Sequence, residues 1–147
     1  MPGLRADRRR RPRAEPGACT AFLVEAYLVL GRVAEAREQA EQAVALTRAH
    51  RLRGWEAWSL KVLGDVHAHE PAENEQAGDA YRRALAQATE LGMRPFVAHC
   101  HFGLAKVDQR SKRGQAREHF KTATTMYLEM GMQFWLEQAE MEMKGLA

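Results

Sequence analysis

The chain has 147 residues, 46% apolar and 28% charged, a balance that fits one ordinary globular or repeat domain and excludes a chain too polar to build a core. Residues 1–16 carry six arginines against Asp7 and Glu15 (+4), whereas residues 17–147 hold 16 basic and 17 acidic groups (−1); a broad nucleic-acid footprint is therefore excluded from the body and only the tail is a candidate for one. Two cysteines, Cys19 and Cys100, exclude a disulfide framework or a cysteine metal site, and with no membrane-length apolar run and no secretory leader the expected location is a reducing cytoplasm.

In chain order, residues 1–17 contain three prolines and an arginine block at Arg8 to Arg11 and Arg13. They form a basic N-terminal segment expected to be disordered. Two readings stay open for it: an arm for nucleic acid or acidic lipid, or a leader with no role. Residues 18–147 are rich in Ala, Glu, Arg, Leu and Gln without β-branched runs, so the fold class expected is all-α. A first helix spans 19–30, with Phe22, Leu23, Ala26, Tyr27 and Leu30 as its inner stripe, and stops at Gly31. Its partner covers 33–50.

The central hairpin begins at Gly54. Trp55, Trp58, Val62, Leu63 and Val66 recur at threes and fours, the pattern of a helix burying one stripe. Pro71 ends that helix near His69 or Glu70, because proline lacks a backbone N–H and restricts the residue before it. Glu73 to Glu75 suit the positive end of the next helix, whose stripe runs Ala77, Ala80, Tyr81, Ala84, Leu85, Ala88 and Leu91 until Gly92. The third hairpin pairs 96–109, with Val97, Cys100, Leu104 and Val107 inward, with 114–130. A last helix, 133–144, points Phe134, Trp135, Leu136 and Ala139 inward as a cap with a polar outer side.

One register recurs in the second helices: Ala36, Ala40 and Ala43; Ala77, Tyr81 and Ala84; Ala116, Phe120 and Ala123, at offsets of 41 and 39 residues. The four-plus-three spacing places each trio on one helical face, and its return is the mark of stacked helical hairpins. The expected architecture is three hairpins plus a C-terminal capping helix, stacked with a right-handed superhelical bend. Such a chain is a scaffold.

Tyr27 to Gly31 with Glu35-Ala36, and Leu63-Gly64 with Ala77, Tyr81 and Ala84, resemble the tetratricopeptide consensus. The chain departs from it in lacking the closing proline at Ala49 and Thr89, in carrying Asp108 where an aromatic is common, and in its longer period. Arg53-Gly54-Trp55-Glu56-Ala57-Trp58, Leu91-Gly92-Met93-Arg94-Pro95, Ala98-His99-Cys100-His101 and the string from Met130 to Glu140 resemble the C-terminal end of large bacterial proteins. Those proteins join a class III adenylate or guanylate cyclase domain, an AAA-type ATPase and a tetratricopeptide-like array. Similar arrays end large helix-turn-helix transcription regulators. The resemblance implies a non-catalytic signalling scaffold whose partner is a protein or peptide segment, the parent ATPase or cyclase domains included.

No phosphate loop, Gly-x-Ser-x-Gly elbow or His-Glu-x-x-His helix occurs. No catalytic residue, cofactor, metal, membrane or small-molecule substrate is therefore expected. His67/His69 and His99/His101 are two apart, which points them to opposite sides of a helix; a metal site would need His67 or His69 to face His99 across hairpins. Cys100 reads as a small buried hydrophobe. The methionines from Met126 to Met143 read as filling of the last core layer. Carried over from the tetratricopeptide consensus, the concave-face positions are Trp58, Lys61 and Asp65 with His99, Lys106 and Gln109. An exposed aromatic beside mixed charge suits a peptide groove; the alternative is that Trp58 is core and the charges are solvated.

Overall fold

The computed structural model of the chain describes residues 16–146, with side chains from 20 to 146. Seven α-helices follow one another: α1 (Pro16–Val29), α2 (Val33–Ala49), α3 (Arg53–Ala68), α4 (Asn74–Glu90), α5 (Arg94–Asp108), α6 (Arg113–Glu129) and α7 (Gln133–Lys144). A 3-10 turn, Pro71–Glu73, precedes α4, and no strand occurs among the described residues. Helix α1 starts at Pro16. The arginine block lies outside the described residues.

Connections of three to five residues make sequential helices antiparallel neighbours. Four helix ends close alike. After α1 the N–H of Gly31 donates to the Leu28 carbonyl and that of Arg32 to Tyr27, and the pair recurs after α2, α4 and α6, which satisfies carbonyls left open at a helix end. The closure needs a left-handed residue, supplied by Gly31, Gly92 and Gly131 and, after α2, by Arg51 at φ 55°.

Each helix packs on its chain neighbour, and α3 also touches both α1 and α5; these three form one layer with α2, α4 and α6 behind them. All nine residues of the repeated register are buried. The tightest fit is at Tyr81 of α4, whose ring lies between α3 and α5. A Cβ built on Gly64 would sit 2.7 Å from that ring and one on Gly103 2.6 Å from it, so only glycine allows the helices to close on the tyrosine. Arg53–Glu90 and Arg94–Glu129, both 2.6 Å, tie α3 to α4 and α5 to α6, repeating at the same offsets as the core. Both pairs are exposed and add little stability.

The structure corrects three stripes; the one assigned to α4 ends at Ala88, since Leu91 is exposed. In α1 the buried residues are Ala21 and Val24, while Phe22 is 62% and Leu30 69% exposed and Ala26 is exposed too. Glu25 is the one charge in Pro16–Val29, so apolar residues surround the helix and periodicity cannot fix its phase. In α7, Leu136 and Ala139 are buried against α6 with Trp135 partly covered, but Phe134 is 64% exposed. Adjacent helical residues point about 100° apart, so a run of three apolar residues cannot all face inward. Met126, Met130, Met132 and Met143 pack on this last cluster. No described helix is long and apolar enough to cross a membrane.

Candidate functional site

Because α1, α3 and α5 share a layer, one face of each lines a common groove of about 860 Å³, closed at one end by Trp135 of α7. Trp58, Phe96, His99 and Trp135, which line it, belong to a belt of rings running across the helices. Phe22 meets Trp58 edge-on at 5.6 Å between centroids, Trp58 meets Phe96 at 5.5 Å, Phe96 meets His99 at 6.3 Å, and His99 meets Trp135 edge-on at 4.7 Å. One or two aromatic side chains from each odd-numbered helix therefore join into a strip. Such contacts favour edge-to-face geometry and hold the rings in place.

Below the belt the polar groups satisfy one another. Lys61 Nζ lies 2.7 Å from Asp65 Oδ2, one helical turn on, and the Tyr81 hydroxyl donates to Asp65 Oδ1 at 2.5 Å. Burial pulls the Lys61 ammonium pKa down, but Asp65 outweighs it and the net shift is upward. Burial, reinforced by the Asp65 charge, raises the Tyr81 hydroxyl well above its usual range. His99 Nδ1 lies 2.7 Å from the Tyr127 hydroxyl. Burial, with the Lys61 charge second, lowers His99 to about 4, so its ring is neutral at pH 7 and one of the two groups donates to the other.

All six residues chosen from the sequence, Trp58, Lys61, Asp65, His99, Lys106 and Gln109, line this groove. A scan against protein-family models gives no match for this chain, and a search of curated proteins finds no significant match. Trp58 answers to both alternatives, since it packs on the buried cluster of Ala21, Val24 and Val62 and also lines the groove. Lys106 Nζ stands 4.5 Å over the Phe102 ring, and Gln109 Nε2 donates to the Glu142 carbonyl at 3.2 Å.

Sequence reasoning missed Phe96, Trp135 and Arg110 as groove residues. Phe96 and Trp135 lie 39 residues apart, so the period that revealed the core could have aligned them. Of the histidines considered for a metal, His67 Nδ1 lies 2.9 Å from Glu73 Oε2, itself held by Arg37 at 2.8 Å, and His99 bonds Tyr127, while His69 lines the same groove as His99. No group of three or more potential ligands gathers among the described residues. His101 and His119 join α5 to α6 through a 2.9 Å Nδ1 to Nδ1 hydrogen bond. Cys100 is fully buried and burial pushes its thiol up to about 12, which leaves it a protonated core side chain.

Proposed function

We propose that the chain is a non-catalytic interaction scaffold, a tetratricopeptide-like superhelical stack of three hairpins capped by α7, whose groove holds a segment of another protein. The observation that carries this reading is the aromatic belt. Its rings line the groove from Trp58 of α3 to Trp135 of α7, while Lys61, Asp65 and Tyr81 are occupied with one another and none is poised as a free acid, base or nucleophile. Large, stiff aromatic surface beside a few charges is what anchors a bound peptide at low entropic cost.

In this proposal the chain is the regulatory C-terminal array of a cytoplasmic bacterial cyclase or ATPase protein, as the resemblance implies. The strings that carry the resemblance fall at the start of α3, along α5 and at the α4–α5 and α6–α7 turns. A cyclase or ATPase reading frame abutting this one would support that parentage, and a helix-turn-helix regulator in its place would redirect it.

The test of the scaffold reading is selection from a random peptide library on the full chain, followed by photo-crosslinking of the enriched peptides. Crosslinks are expected on α1, α3 and α5. Crosslinks confined to α2, α4 and α6, or no enrichment at all, would overturn it.

A further inference from the structure

Five charged side chains line the groove: Glu25, Lys61, Asp65, Lys106 and Arg110. Lys61 is neutralised by Asp65, whose other oxygen takes the Tyr81 proton. Among the described residues, Lys106 and Arg110 form no ion pair with a carboxylate. Both are exposed, and the Phe102 ring beneath Lys106 holds its ammonium by a cation–π contact at 4.5 Å. The groove is thus divided. Its Trp58–Phe96–Trp135 part is aromatic, and the last turn of α5 with the loop after it presents two cations without a carboxylate partner.

Resting on the groove reading above, we infer that the occupant is an extended acidic protein segment, with an apolar residue on the aromatic belt and a carboxylate at Lys106 and Arg110. Helix geometry sets the spacing. From Phe96 to Lys106 is ten residues of α5, or roughly 15 Å at about 1.5 Å per residue, and Arg110 follows in the turn after the helix. An extended chain covers that span in about five residues.

A carboxylate fits because an Arg and a Lys offer charge-assisted hydrogen bonds that nothing else in the groove consumes. Nucleic acid fits worse. A phosphate backbone needs a run of unpaired cations, and this groove sets Glu25 and Asp65 against its three.

The experiment is the peptide selection above, carried to sequence and affinity. Peptides of about eight residues, long enough for this span, are expected to be enriched in Asp or Glu about five or six positions from an aromatic or aliphatic residue. The best of them, labelled with fluorescein, should bind Lys106→Glu and Arg110→Glu about tenfold more weakly each, with helical circular dichroism unchanged because both positions are exposed. Peptides that crosslink to the groove but are neutral or basic, or that bind both charge-reversed chains undiminished, would overturn the acidic occupant and leave the groove standing. Peptides that never crosslink there would remove both. A labelled single-stranded oligonucleotide that binds the chain, loses affinity in Lys106→Glu and outcompetes the peptides would replace the inference with a nucleic-acid one.

Discussion

Replacing Gly103 by alanine adds one methyl group where the Tyr81 ring already stands. Its Cβ would lie 2.6 Å from Cζ, 2.7 Å from Cε1 and 3.0 Å from Cε2, against an ordinary carbon contact of about 3.5–4.0 Å. The ring has little room to retreat, because it also packs on Gly64 of α3, where a built Cβ would lie 2.7 Å from it, and Asp65 holds its hydroxyl. Overpacking of this kind costs up to about 3 kcal/mol, while alanine gains about 1 kcal/mol in helix propensity over glycine. The expected net loss is about 2 kcal/mol, a fall of roughly 1 M in the urea midpoint followed at the helical circular dichroism band. In a Tyr81→Ala background the clash is gone and the same substitution should stabilise by up to about 1 kcal/mol, a coupling of about 3 kcal/mol in the double-mutant cycle. A Gly103→Ala chain as stable as the parent, or the same effect in both backgrounds, would refute the wedge.

Arg51 is exposed and sits at φ 55°, where a side chain is strained, so Arg51→Gly should stabilise by about 0.5–1 kcal/mol in urea titrations even though glycine loses more freedom on folding; a loss would mean that the arginine side chain matters. His99, lowered from 6.5 to about 4, leaves the unfolded chain binding the extra proton between those values, so its contribution is complete above pH 6.5 and is lost as pH falls toward 4. In His99→Gln the loss of stability between about pH 7 and pH 5 should shrink by about 2 kcal/mol, and an unchanged slope would remove His99 as its source. Deleting residues 133–147 should uncover Tyr127, Phe102 and the methionines beside them, cost several kcal/mol, on the order of the loss of one core aromatic, and drive self-association visible by sedimentation; a monomer with unchanged melting temperature would make α7 a free segment rather than a lid.

What could be read from the sequence was what repeats. The trios built on Ala36, Ala77 and Ala116 fall on one buried face because each position meets its equivalent neighbour in every hairpin, and Gly31, Gly92 and Gly131 mark helix ends because the closure there needs a left-handed residue. Arg51 does the same work without that signal, and nothing in its residue type announces it. The phase of α1 was illegible because apolar residues surround it, and that of Phe134 because three adjacent large apolar residues offer two choices of inner face. Trp58, Lys61 and Asp65 were placed together by the resemblance to the tetratricopeptide consensus, and their spacing on one helix is compatible with a shared face. That Asp65 would be shared between Lys61 and a tyrosine of the next helix could not, since it depends on how closely α3 and α4 approach, and Gly64 sets that distance.

Tyr81 therefore ties the core to the groove. Its ring sets how close α3 and α5 come, through the two glycines, while its hydroxyl holds one oxygen of Asp65 and so leaves the other for Lys61. Tyr81→Phe separates the two effects. The ring still fills the gap, so helix spacing and the aromatic belt should persist. Asp65 loses its one neutral partner, and its carboxylate must then be satisfied by Lys61 and solvent alone. The groove floor becomes more acidic in effect, because a hydrogen bond that disperses the Asp65 charge is removed. Stability should fall by about 1.5–3 kcal/mol, the range for a hydrogen bond to a charged group. If an acidic segment is the occupant, its affinity should fall as well, although Tyr81 lies at the floor rather than among the cations that bind it. Loss of stability without any change in affinity would show that the floor serves only the fold, and that Lys106 and Arg110 act alone.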